Sequence, residues 1–154
     1  IIYIIYRNDL KKFNFEDIIT NKFPTYNFRF ISIDFNTRGA SETVLQGLLQ
    51  MSQYELSNLT LVIDSDNLYN DDIIQISKEN NTNLIFYHKT DIQKPIYSYL
   101  LLNENNVLDI KEKERISDNA CIGAYCFRSG VILKSSIIDI LSITSEKEYY
   151  ISNV

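Results

Sequence analysis

The sequence predicts an α/β domain of the three-layer, Rossmann-like kind, with a mixed but mostly parallel sheet. Three observations predict it. Strand-length apolar runs alternate with stretches of helical period from Ile1 to His88, the mark of a parallel sheet wound with helices. In the middle stands Leu59–Ile63, nearly all apolar, which stops abruptly at Asp64-Ser65-Asp66-Asn67; such a run reads as a strand buried on both faces. From Pro95 onward strand candidates follow in quick succession, which adds antiparallel strands and makes the sheet mixed.

Taken in order, Ile1–Tyr6 is a buried strand by its Ile and Tyr content, and Arg7-Asn8-Asp9 is the loop after it. Phe15–Asn21 is a short helix with Asn14 placed to cap it, and Pro24 ends that unit. Asn27–Asp34 is the next strand, with Phe28, Phe30, Ser32 and Asp34 on one face and Arg29, Ile31 and Ile33 on the other. A loop, Phe35–Gly39, leads into a helix over Ala40–Gln53 whose apolar stripe is Val44, Leu45, Leu48, Leu49 and Met51. After the central strand a helix spans Asn70–Glu79, with Ile73, Ile74 and Ile76 toward the sheet. The cluster Asn80–Asn83 is a turn, and Asn83–His88 is a strand. Pro95–Leu102, Val107–Lys113 and Ala120–Arg128 are further strands, the first two joined by the hairpin turn Asn103–Asn106. Val131–Ile143 is helical, with Ile137, Ile138 and Leu141 toward the core.

A chain of 154 residues suits a single domain with one core. With 45% hydrophobic and 23% charged residues it should be globular rather than disordered. A net charge of −5 argues against a nucleic-acid footprint, and interspersed lysines and acids argue against a basic membrane face. The two cysteines, Cys121 and Cys126, lie five apart in one strand and point to opposite faces. They read as reduced core residues of a cytoplasmic protein. His88, the single histidine, is expected at the surface or at a strand end. The chain starts inside a strand pattern at Ile1 and stops at Val154, and segments before and after it are expected.

The chemistry is expected at Asp64 and Asp66. Ligands of open α/β sheets sit beyond the carboxyl ends of strands. Two carboxylates one residue apart there can place hard oxygen ligands on Mg2+ or Mn2+ that also holds a phosphate. A plain polar turn, with Asn67 or Asp71 capping a helix over Asp72–Glu79, is the competing reading.

Four stretches, in order, resemble the sugar-phosphate nucleotidyltransferases, the nucleoside-triphosphate pyrophosphorylases. The first is Thr37-Arg38-Gly39-Ala40-Ser41-Glu42-Thr43, similar to a turn that opens a helix against the nucleobase. The resemblance implies nucleotide binding by Gly39, Ala40, Glu42 and Thr43. The second is Ser65-Asp66-Asn67, similar to the family's Gly-Asp-Asn, which makes Asp66 the implied metal ligand and catalytic residue, with Asp64 as a second carboxylate. The third, Glu112-Lys113, resembles the Glu-Lys pair in which the acid accepts from sugar hydroxyls and the ammonium meets a phosphate. Lys113 is thereby an implied catalytic residue and Glu112 a substrate ligand. The fourth is Asn119–Phe127, where Gly123 would let the sugar lie against the backbone; Glu148-Tyr149-Tyr150 resembles a segment near the sugar, with Glu148 as a ligand.

The resemblance implies a nucleotide-diphospho-sugar transferase fold, a reaction joining a nucleoside triphosphate to a phosphorylated acceptor with release of pyrophosphate, and a role in polysaccharide or capsule precursors. The chain departs from the family in several respects: Ser65 stands for the Gly of Gly-Asp-Asn, Glu114 follows Lys113 where the family has Pro, and a later metal-binding Asp, expected beyond Val154, is not in the chain. The family's glycine-rich triphosphate loop has no match, since Gly39 is the first glycine and Gly47, Gly123 and Gly130 are scattered. The chain alone is therefore expected to bind triphosphate poorly and to be inactive. Asp64-Ser65-Asp66 also resembles the D-x-D of glycosyltransferases with a related fold, and a non-catalytic binding module is the remaining alternative.

Overall fold

The computed structural model describes residues 1–80, 82–143 and 148–154. Its elements follow the sequence pattern with local differences. β1 (Ile2–Arg7) pairs in parallel with β2 (Phe28–Ile33), from Ile2 opposite Phe28 to Arg7 opposite Ile33. Between them lie a 3-10 turn at Asn8–Phe13, where a loop was expected, and α1 (Phe15–Lys22). Asn14 does precede α1, but it takes the left-handed conformation (φ 53°) and its side chain makes no capping bond. β1 is less buried than its composition predicts: only Tyr6 is buried, and Ile1 and Ile2 are exposed.

The helix expected over Ala40–Gln53 is two helices, α2 (Ala40–Gln50) and α3 (Gln53–Leu56). Met51 is extended, and Ser52 starts the second helix with a capping box: its side chain accepts from the Glu55 N–H while Glu55 accepts from the Ser52 N–H. Leu48 faces the core, whereas Leu49 turns outward.

The second sheet contains β3 (Thr60–Ile63), β4 (Leu84–Lys89), β5 (Ser98–Asn103), β6 (Asn106–Glu112) and β7 (Asn119–Phe127). All its pairings are antiparallel. The strands described thus form two separate sheets, one parallel and one antiparallel, rather than the single mixed and mostly parallel sheet expected; β1–β2 is the only parallel pair among the described residues. The central strand is β7, not Leu59–Ile63. The carboxyl half of β7 pairs with β3, its amino end with β5, and its other edge with β4. β3 ends half-open, with Ile63 43% exposed. An apolar run shows that a strand has something to bury, but not how many neighbours it has.

α4 (Ile73–Glu79) connects β3 to β4 and begins later than expected, because the Asp72 carboxylate caps it by accepting from the Gln75 N–H. Ile73 is buried but Ile74 is exposed; the inward position is taken by Ser77, whose hydroxyl donates to the Ile73 carbonyl. α5 (Gly130–Ser142), capped by Ser129, packs on β7 and α2 with Leu133, Ile137 and Leu141, while Ile138 points outward rather than to the core. These side chains, with Leu48, Leu56, Cys121, Tyr125, Tyr149 and Ile151, form the main core. Cys121 and Cys126 are buried and unpaired. Among the described residues no helix is long and apolar enough to cross a membrane.

Candidate active site

A cleft of about 450 Å³ opens beside β7. Among the residues that line it are Asp64, Asn67 and Tyr69 from the loop after β3, Gly123 from β7, Ser98 from β5, Glu112 and Lys113 from the end of β6, and Tyr150. A bulge in β7 shapes its floor. Two β4 residues, Ile85 and Tyr87, face β7 residues four apart, Tyr125 and Cys121, so the intervening stretch of β7 arches out of register. Gly123 sits in that arch with φ +68°, a conformation that side chains disfavour. A Cβ added there would lie 2.1 Å from Asp64 Oδ2. The expected role of Gly123 as a point of close approach is therefore filled, in this structure, by the chain's own carboxylate.

The loop after β3 is strapped to this arch. The Asp64 N–H donates to the Gly123 carbonyl (2.8 Å), Asn67 Nδ2 donates to the Ile122 carbonyl (3.1 Å), and the Tyr69 hydroxyl donates to the same carbonyl (3.0 Å). Desolvation against the arch, and secondarily the charge of Asp66, raises the pKa of Asp64. Asp64, not Asp66, lines the cleft; Asp66 is exposed two residues beyond. Two carboxylates that raise each other's free energy, on oxygen donors alone, suit a hard divalent cation that keeps water and phosphate as its other ligands. Among the described residues no group of three or more His, Cys, Asp or Glu side chains forms a complete metal cage.

The Glu112-Lys113 pair ends β6 and faces the cleft. Lys113 stands at φ 53°, and its N–H donates to the Tyr97 carbonyl (2.9 Å). Its ammonium donates to the Tyr150 hydroxyl (2.7 Å), which in turn donates to Glu148. The hydrogen bond to Tyr150, more than the nearby acids, holds the Lys113 pKa above its ordinary value, so this side chain is a fixed positive point. Glu112 accepts on its Oε2 atom from Ser98 and from Ser152 (3.2 Å).

The stretch Thr37–Thr43 lies at the head of α2. Gly39, at φ +137°, is the residue before the helix, and a Cβ there would meet the Tyr149 carbonyl oxygen at 2.4 Å. The Tyr149 N–H donates to the Arg38 carbonyl (2.9 Å), and the Ser41 N–H donates to the Tyr149 carbonyl (3.1 Å). Gly39 thus admits the backbone of the carboxyl-terminal segment. Glu42 accepts from the Arg38 N–H (2.6 Å) and guanidinium (2.9 Å), which lowers its pKa, so its carboxylate is already occupied. Thr43 bonds Thr37 (2.8 Å). Ala40 borders the cleft; Gly39, Glu42 and Thr43 are not among its lining.

The cleft therefore gathers Asp64, Glu112, Lys113, Gly123 and Ala40, with Glu148 one hydrogen bond behind Tyr150. Sequence reasoning did not assign Tyr69, Ser98, Tyr150 or Ser152 to the site. Tyr150, followed by Ser152, lay in the stretch matched to a segment near the sugar, and Tyr69 closes the stretch matched after β3, whereas Ser98 carries no signal beyond being a polar group at a strand end. His88, on β4, also borders the cleft, edge-on to Tyr97 with ring centroids 5.7 Å apart.

No family model matches the chain, and no curated protein matches it. Solved structures do. A nucleoside-diphosphate-sugar pyrophosphorylase from Vibrio cholerae RC9 superposes with a TM-score of 0.72 at 18% identity, over 98% of this chain and 65% of its own. A structure described as a glucose-1-phosphate thymidylyltransferase from Bacillus anthracis gives 0.72 at 15% identity, over 98% and 60%. A 4-diphosphocytidyl-2C-methyl-D-erythritol synthase from Anaerococcus prevotii DSM 20548 gives 0.55 at 13%, over 95% and 63%. The chain thus spans somewhat less than two thirds of the length of each of these. With its own cleft at the same elements that the motifs marked, the chain has the fold of the sugar-phosphate nucleotidyltransferases.

Proposed function

We propose that the chain is the acceptor-binding and metal-binding part of a nucleotidyltransferase that joins a nucleoside triphosphate to a sugar phosphate, or a similar small phosphorylated acceptor, and releases pyrophosphate. The observation that carries this reading is the convergence of Glu112, Lys113 and the Asp64–Asp66 loop on one cleft, from elements far apart in sequence. The acceptor phosphate would lie against the Lys113 ammonium, and Glu112 would accept from sugar hydroxyls. An acceptor phosphate oxygen held in line with the α-phosphorus forms the new P–O bond as the bond to pyrophosphate breaks. No side-chain nucleophile is needed. Asp66 and Asp64 would hold Mg2+ or Mn2+, whose chemistry is to neutralise phosphate charge. Nucleobase contact at Gly39, Ala40, Glu42 and Thr43 belongs to this proposal, with the condition that Glu42 must leave Arg38 to take part. A cytoplasmic location is favoured by the unpaired cysteines, and supply of polysaccharide or capsule precursors is the corresponding role.

The test is release of pyrophosphate by the longer protein of which this chain is proposed to be a part, since the chain alone is expected to be inactive, from a panel of nucleoside triphosphates, with sugar 1-phosphates and Mg2+. Activity is expected with at least one pair and a loss of 10³-fold or more, about 4 kcal/mol, in Asp66→Ala. An Asp66→Ala variant within about tenfold of the parent removes the metal assignment. A second reading, a glycosyltransferase using Asp64-Ser65-Asp66, is favoured by Asp64 rather than Asp66 bordering the cleft. Release of nucleoside diphosphate from a nucleotide sugar would select it.

A further inference from the structure

Glu112 is held in an unusual way. Ser98 on β5 stands directly across from it in the β5–β6 ladder, and Ser152 reaches it from the carboxyl-terminal turn. Both hydroxyls donate to one oxygen, Oε2. A carboxylate only accepts, so both serines must spend their proton on it. Both serine residues are 8% exposed, so water does not compete freely for them. Among the described residues no protein donor reaches Oε1. The last torsion of a glutamate is broad and free to turn; two donors on one oxygen fix its plane.

We propose that Ser98, together with Ser152, is a positioning residue that locks the Glu112 carboxylate with Oε1 free to accept from hydroxyls of a phosphorylated polyol in the cleft. This rests on the function proposed above and adds to it what holds the hydroxyl-reading oxygen of Glu112 in place. Ser98 lines the cleft, but its hydroxyl proton is given to Glu112. It decides where the hydroxyl-reading oxygen stands, while Lys113 alone serves the phosphate.

The probes are glucose 1-phosphate and inorganic phosphate, titrated against the chain by chemical-shift NMR. The parent is expected to prefer glucose 1-phosphate. Ser98→Ala should cut that preference about three- to tenfold and leave inorganic phosphate binding unchanged, because only the hydroxyl contact is disturbed. Ser98→Thr, which keeps the hydroxyl, should restore most of it. Thermal midpoints of Ser98→Ala, Glu112→Gln and the double variant should be non-additive, which reports the Ser98–Glu112 contact without any ligand. A Ser98→Ala preference equal to the parent's overturns the inference while leaving the proposed function standing. Equal weakening of both probes overturns it as well, since that is the mark of general damage. A parent that binds phosphate but shows no preference for the sugar removes the hydroxyl-reading role, and a parent that binds neither probe removes the function reading and this inference with it.

Discussion

The β1–β2 unit and the sheet centred on β7 make opposite use of apolar sequence. β1 reads as the most hydrophobic strand of the chain, yet its burial is partial and its pair is alone. Its outer side carries a row of aromatic rings, from Phe28 and Phe30 (5.7 Å between centroids) to Tyr6 and Phe15 (5.1 Å), with Phe23, Tyr26 and Phe13 largely exposed at its margin. β7 contains a glycine, two alanines and an asparagine, a weaker strand by composition. It is nevertheless the most buried, with three strand partners and α5 across it. Burial follows the number of neighbours, and strand composition does not report that number.

Substitutions sharpen this contrast. Leu133 in α5 is fully buried against the β7 side of the molecule, whereas Ile18 in α1 is 54% exposed on the β1–β2 side. Leu133→Ala should cost about 3–4 kcal/mol in unfolding free energy and Ile18→Ala no more than about 0.5. Equal losses in denaturant titrations would mean that the two regions are covered alike.

Gly123→Ala comes next. Its Cβ would collide with Asp64 at a residue with positive φ, so a loss of about 2–3 kcal/mol is expected, together with detachment of the loop after β3. Gly47 makes the control, because its added Cβ meets only the Ile5 side chain on β1, Cδ1 at 3.0 Å and Cγ1 at 3.4 Å. Gly47→Ala should fall within about 1 kcal/mol of the parent, as helix propensity offsets the crowding. If Gly123→Ala proves as mild as Gly47→Ala, the arch of β7 is not tied to the acidic loop.

Lys113→Ala tests the cleft more gently. Under the proposed function it should raise KM for the phosphorylated acceptor about tenfold, near 1.4 kcal/mol, with kcat little changed. Unchanged KM would return Lys113 to the surface.

The smallest effect concerns Glu42. Its hydrogen bond from Arg38 lowers its pKa in the folded state. The stability it brings is present above the ordinary glutamate pKa, about 4.3, and is lost as the pH falls through the lowered value. Arg38 is half exposed, so solvent screening keeps this below about 1 kcal/mol. Thermal midpoints of the parent and Arg38→Ala should differ at pH 7 and converge in acid; a constant difference across that range would assign the effect to the packing of Arg38 over Tyr149 instead.

Much was legible in advance. The order of strands and helices, the hairpin turn at Glu104-Asn105, the acidic loop after β3 and the Glu112-Lys113 pair at a strand end were all visible as local patterns. Periodicity, turn chemistry and charge act over a few residues, so one sequence displays them. Helix faces were read less well: Ile74, Ile138 and Leu49 fit apolar stripes and yet face outward, because a stripe has a width that only the neighbouring element sets.

The sequence alone determined which segments become strands and helices, and which polar residues end them. Tertiary structure decided which strands meet and in what register. Two bulges carry that decision. The β5–β6 ladder slips by one residue between Leu101–Asp109 and Leu102–Val107, leaving Leu108 unpaired. Without the slip, Ser98 would face Lys111; with it, Ser98 faces Glu112. The arch at Gly123 likewise brings Asp64 onto β7. A strand's side chains alternate with period two, so a one-residue slip exchanges every face. That choice is made by the sum of contacts across the sheet, and no single stretch of the chain contains it.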